Sequence, residues 1–132
     1  MLGDAQLLTR VYDAFNTGGV RAVADYIHPD AEFIDPVEFP GADHYMGREA
    51  VISYLENFVE AWGVVNIVIE EFHGAGGRVG AQLCIELRGA ASGYETEMRV
   101  MHVIDIEDGQ VRRVQGFFDR EEGLAALVGK PA

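Results

Sequence analysis

At Val64 the spacing of apolar residues changes from helical to alternating, and this switch constrains the fold more than any other feature of the chain. Downstream of it, long strands are expected over Val64–His73, Arg78–Arg88 and Tyr94–Ile106. The segments between them, Gly74-Ala75-Gly76-Gly77 and Gly89-Ala90-Ala91-Ser92-Gly93, are glycine-rich, as hairpin loops require. Glu107-Asp108-Gly109-Gln110 reads as a tight Asp-Gly hairpin into a further long strand, Val111–Phe118. Strands joined in this way are antiparallel, and such a sheet can curl.

Upstream of Val64 the period is helical. Asp4 is suited to cap a helix bearing Leu7, Leu8, Val11, Ala14 and Phe15, which Gly18-Gly19 ends. Val20–Ile27 is a second, shorter helical stretch, stopped by His28-Pro29-Asp30. Ala31–Asp35 is a short strand, and Pro36 forces Asp35 into an extended conformation. Val37–Met46 contains Pro40 and Gly41, has no period and reads as a loop. A third helix follows Gly47, with Ala50, Val51, Tyr54, Leu55, Phe58 and Trp62 on its apolar side, and Gly63 closes it. Asp119 and Glu122 form a capping-box-like pair for a final short helix, Arg120–Val128. Helices first and strands afterwards predict an α+β fold: a curved antiparallel sheet wrapped by three N-terminal helices, with a short C-terminal helix. The helices close the concave side into a cone with a cavity at its wide end. A chain of 132 residues fits a single domain, 1–132.

A net charge of −12 repels phosphate backbones and anionic lipid, so neither nucleic acid nor membrane is an expected partner. Cys84 is the only cysteine, which excludes an internal disulfide and agrees with a reducing compartment. Met1-Leu2-Gly3-Asp4 begins no signal-peptide pattern, and the expected location is cytoplasmic. The four histidines lack metal-ligand spacing, no phosphate-binding glycine motif opens a helix, and Cys84 has no evident activating partner, so no metal or cofactor is expected.

Alternation in the third long strand puts Met98, Val100, His102, Ile104 and Ile106 on one face, and this apolar face should point inward. His102 is its only polar member. In the last strand Arg112, Val114, Gly116 and Phe118 share a face, with Gly116 leaving room for the cavity. Asp35 lies among Phe33, Ile34 and Pro36, where desolvation makes a carboxylate a stronger base. Asp35 and His102 together could move a proton between two carbons of a bound substrate. Equally, Asp35 could be a turn aspartate capping nearby backbone, and His102 a hydrogen-bonded core histidine. Phe58 and Trp62 are either core or a lip for a flat apolar ligand.

The chain resembles the cone-shaped, cystatin-like α+β barrel superfamily that includes nuclear transport factor 2, ketosteroid isomerase, SnoaL-type polyketide cyclases and limonene epoxide hydrolase. The residues carrying the resemblance are Tyr12-Asp13-Ala14-Phe15-Asn16-Thr17-Gly18, His28-Pro29-Asp30-Ala31-Glu32-Phe33, Gly47-Arg48-Glu49-Ala50-Val51, Asp108-Gly109-Gln110-Val111 and Phe117-Phe118-Asp119. Asp35-Pro36-Val37 looks like the isomerase segment that bears the general base. The tyrosine that polarises the isomerase substrate falls on Val11, with Tyr12 one residue away and facing elsewhere; the strand aspartic acid falls on His102, or on Met101 in an ungapped alignment. The epoxide hydrolase residues fall on Leu83, Ile85 and Gly116, which cannot perform that chemistry.

The resemblance implies an isomerase, cyclase or dehydratase acting on a hydrophobic cyclic substrate, with Asp35 and His102 catalytic. Val11, Phe15, Phe33, Tyr54, Phe58, Trp62, Met98, Val100, Gly116 and Phe118 are the implied substrate-binding residues. A homodimer is the implied assembly. A non-catalytic binding or dimerisation module of the same fold is the alternative.

Overall fold

The computed structural model describes residues 3–75, 77–89 and 93–129. Helix α1 (Asp4–Gly18) buries Leu7 and Leu8, and its N-cap is Gly3 rather than Asp4. The Gly3 amide donates to Gln6 Oε1 at 3.1 Å, and Asp4 in the first turn favours the helix dipole. The second helical stretch is a 3-10 helix, Val20–Tyr26. Its buried residues Val20 and Val23 are three apart, which suits three residues per turn.

Strand β1 (Ile27–Ile34) starts four residues earlier than expected, so His28-Pro29-Asp30 belongs to a strand rather than a stop. Pro29 lies where the register slips between Ile27 and Glu32, and there the missing amide costs no ladder bond. Strand β2 (His44–Met46) lies within the segment expected to be loop, and pairs antiparallel with β1 through Phe33 and Tyr45. Helix α2 (Arg48–Trp62) then leads through Gly63 into β3 (Val64–Ala75), β4 (Arg78–Arg88), β5 (Glu95–Glu107) and β6 (Gln110–Phe117). Both Asp108 (φ 54°) and Gly109 (φ 73°) are left-handed, as a two-residue Asp-Gly hairpin demands. The Gly74–Gly77 and Gly89–Gly93 hairpin readings fall partly on residues outside those described.

The sheet order is β2-β1-β6-β5-β4-β3. The long strands β3 to β6 are antiparallel in sequence, while β1 joins β6 in parallel. Register slips in β3 and between Asp105 and Ile106 of β5 bend the sheet toward α1 and α2. The Asn16 side chain both donates to the Ile67 carbonyl and accepts from the Ile67 amide, each at 2.8 Å, so α1 occupies part of the edge of β3. Helix α3 (Arg120–Val128) is capped by Asp119, whose Oδ1 accepts from the Glu121 amide at 2.8 Å. It lies on the opposite face of the sheet, over fully buried Met101. Gly123 permits that approach, since a Cβ there would sit 2.4 Å from Met101 Cγ.

Among the described residues no helix is long and apolar enough to cross a membrane.

Candidate active site

Between the helices and the concave face of the sheet lies a cavity of about 140 Å³. Its walls come from α1, β1, α2 and the inward faces of β3 to β6. Val11, Phe15, Phe33 and Tyr54 line it, as do Phe58, Met98, Val100 and Phe118. Two expected lining residues do not. Gly116 makes room for Pro36 instead of the cavity: a Cβ at Gly116 would stand 2.9 Å from Pro36 Cδ. Trp62 is 41 % exposed and packs beside Phe58 and Phe39 outside the lining, as the last residue of α2 before the Gly63 cap.

Asp35 follows the last residue of β1 and is only 4 % exposed. Tyr54 on α2 donates a short hydrogen bond to Asp35 Oδ1. The Asp43 amide donates to Asp35 Oδ2 at 3.3 Å, and the Asp35 amide donates back to the Asp43 carbonyl at 3.1 Å. Burial raises the Asp35 carboxyl above its ordinary value; the Tyr54 and Asp43 hydrogen bonds oppose that rise and the Asp43 charge adds to it. The Tyr54 phenol is held far above its ordinary value by burial and by the adjacent carboxylate, so it acts as a donor. Tyr45 stacks on Tyr54 at 4.2 Å between centroids and fixes the ring. Nothing in the periodicity of α2 marks Tyr54 as the partner of Asp35, since the two are 19 residues apart.

His102 lines the cavity and Met101 faces α3, the sides that strand alternation gives them. Phe33 stands edge-on to the His102 ring at 5.7 Å and lies 5.1 Å from the Tyr54 ring. Nδ1 of His102 is buried without a hydrogen-bond partner. Burial lowers its pKa to about 4, so the ring is neutral with one N–H at neutral pH. Among the described residues no hydrogen bond joins His102 to Asp35; both simply face one cavity.

The resemblance has Tyr12 facing elsewhere, and the structure corrects this. Tyr12 lines the cavity beside Val11 and packs against the two core clusters that include Val100 and Ile104, the inward neighbours of His102 on β5. Its hydroxyl has no hydrogen-bond partner among the described residues, and burial holds its pKa well above the ordinary tyrosine value. A helix seated inside a curved sheet buries a wider arc than one lying on a flat sheet, so adjacent positions 11 and 12 both reach the interior. Phe39 is a further lining residue, within the segment whose lack of period reads as a loop and gives no sign of it.

The remaining candidates lie elsewhere. His44 pairs with Glu32 at 2.9 Å and His28 with Glu107 at 3.5 Å. Cys84 is on the outer face, where its thiol donates to Glu97 at 3.3 Å; burial and that carboxylate raise its pKa, the reverse of activation.

No curated protein matches the sequence. Solved structures do share the fold. An NTF2-like protein of unknown function from Burkholderia pseudomallei is 19 % identical, with 98 % of this chain and 100 % of that one covered at a TM-score of 0.74. A protein with a ketosteroid isomerase-like fold from Catenulispora acidiphila, solved with trimethylamine, is 14 % identical over 96 % and 94 % of the two chains, TM-score 0.71. A protein provisionally assigned as a polyketide cyclase, from Sinorhizobium meliloti, is 17 % identical over 87 % and 94 %, TM-score 0.69. Residues 8–114 match the SnoaL-like domain, and the chain belongs to that family.

Proposed function

We propose that the protein catalyses proton transfer next to the carbonyl of a hydrophobic cyclic substrate, with Asp35 as general base. The observation that carries this reading is a buried carboxylate sharing one apolar cavity with two polar groups, Tyr12 and His102, that have no protein partner among the described residues. Asp35 takes a proton from the carbon beside the carbonyl, and the C–H electron pair moves to leave negative charge on the carbonyl oxygen. Tyr12 O–H and the single His102 N–H donate to that oxygen as the charge develops, inside a site from which water is largely excluded. Asp35 then returns the proton to a second carbon. The same enolate could instead attack a second carbonyl or expel a β-hydroxyl, giving cyclisation or dehydration. Support also comes from the likeness of Asp35-Pro36-Val37 to the isomerase segment that bears a base.

The test is deuterium uptake at the α-carbon of a cyclic ketone in D2O, followed by NMR. The rate is expected to rise with pH as Asp35 ionises, with a midpoint above the ordinary aspartate value of about 3.9. Because His102 is already neutral above a pH of about 4, no limb is expected near the ordinary histidine value. Tyr54→Phe removes a hydrogen bond that favours the ionised carboxylate, so it should move the midpoint further upward. A midpoint that stays put in this variant would show that the Tyr54 bond does not tune the reacting group.

A second reading rests on the same hydrogen bonds. Both Asp35 oxygens are engaged, one by Tyr54 and one by the Asp43 amide, as in a structural cap of the turn. On that reading the domain binds ligand without turnover and pairs through its outer sheet face with a second copy. Ligand binding with no α-proton exchange under any condition would favour it.

A further inference from the structure

We infer that the site takes an uncharged, compact ligand of one or two fused rings, bound with a single hydrogen-bond acceptor pointed at Tyr12 and His102. The inference rests on the reading of Asp35, Tyr12 and His102 as the polar end of the site, and it adds charge, size and orientation.

Charge is decided by the cations. Among the described residues none of the arginines lines the cavity, and the chain's single lysine, Lys130, lies outside them. Six arginines are occupied on the outside: Arg21 with Glu56, Arg78 with Asp105, Arg88 with Glu95, Arg99 with Glu70, Arg112 with Glu32 and Arg120 with Glu71. The ionisable acids in the lining are Asp35 and Glu32, and the Glu32 carboxylate is already held by His44 and Arg112. A carboxylate or phosphate on the ligand would therefore be desolvated beside Asp35 with no cation to compensate.

Size is decided by volume and by the mouth. The cavity of about 140 Å³ compares with an apolar cavity of about 150 Å³ that accommodates benzene. Phe39 is packed against Phe58 at 5.7 Å, Trp62 at 5.4 Å and Phe118 at 6.1 Å, forming a partly exposed aromatic collar over the outer end. A ligand that outgrows this volume must push Phe39 aside. Orientation follows from polarity: Tyr12 and His102 line the cavity, the Tyr12 hydroxyl has no hydrogen-bond partner among the described residues, and with Nδ1 of His102 buried out of reach Nε2 is the ring nitrogen left to meet a ligand acceptor.

The experiment compares dissociation constants, by calorimetry on the full chain, for 2-tetralone, tetralin, 2-naphthoate and a four-ring steroid ketone. 2-Tetralone is expected to bind about tenfold more tightly than tetralin, the difference of one net hydrogen bond, and at least about tenfold more tightly than 2-naphthoate. Tyr12→Phe should remove most of the advantage over tetralin. The steroid ketone should bind the wild type more weakly than 2-tetralone and should gain affinity in Phe39→Ala. Equal or tighter binding of naphthoate or steroid by the wild type, or no binding by any probe, would overturn the inference. Deuterium uptake at C1 of 2-tetralone is measured in parallel. Selective binding without uptake leaves the ligand class standing and removes Asp35 as base; uptake without selectivity does the reverse.

Discussion

Asp35→Asn is expected to lower α-proton exchange by about 10²- to 10⁴-fold, the usual contribution of a positioned base, while the protein stays folded. The amide retains an acceptor for the Tyr54 hydroxyl, so α2 and the end of β1 remain joined. What is lost is the group that can take the proton, together with the second oxygen that accepts from the Asp43 amide. Stability supplies an independent check. Because burial raises the Asp35 carboxyl in the folded state, the native protein holds that proton more tightly than the unfolded chain does. The stabilisation tied to protonated Asp35 is thus complete below the unfolded value of about 3.9 and is lost as pH rises through the higher folded value. The amide of the variant does not titrate. The melting temperature of the variant minus that of the wild type should therefore increase with pH across this window. If Asp35 serves chiefly as an ionised cap of the Asp43 turn, the difference would run the other way and exchange would persist in the variant.

Gly63→Ala should cost far more stability than the same change at any other left-handed glycine among the described residues, because only at Gly63 does the added methyl meet a neighbour. Gly63 closes α2 with φ 65° and ψ 45°, and its carbonyl accepts from the Arg88 amide at 2.7 Å. A Cβ at this position would stand 2.0 Å from the Arg88 carbonyl oxygen and 2.9 Å from its carbon. That obstacle is backbone, and moving it breaks the contact joining the start of β3 to the end of β4. Left-handed backbone and overpacking together predict a loss of about 2–5 kcal/mol, a drop in melting temperature on the order of 10 °C. Gly41→Ala is the control: Gly41 has φ 74° but nothing within 4 Å of the added methyl, so only the backbone cost of about 1 kcal/mol applies. Denaturant titration of both variants separates the two contributions. Equal losses would show that the clash at Arg88 is relieved at no cost.

The helices, the long antiparallel strands and the inward face of β5 are legible in the sequence because each depends on a local period. Met98, Val100, His102 and Ile104 alternate along a stretch of β5 paired to β4 without a slip, so counting by two reaches the right face. Asp35 is legible as a buried carboxylate because its neighbours Phe33 and Pro36 are close in the chain. Where the period breaks, reading from sequence breaks with it. The edge strand β2 has three residues, too few to show alternation, and exists because β1 offers it a partner. Gly116 suggests empty space from the last strand alone, but Pro36, 80 positions earlier, fills it.

The sequence by itself therefore determined an α+β domain with a curved sheet and an interior-facing Asp35 and His102, since period, turn chemistry and proline geometry are local. The tertiary structure decided the rest of the site. It brought Tyr54 to Asp35 and Tyr12 into the wall of the cavity that His102 also lines, and it set Phe39 over the outer end. Each of these depends on how α1, α2 and the loop after β1 sit inside the curvature of the sheet. That curvature arises from strand twist and register slips accumulated over the whole sheet, which no single segment encodes.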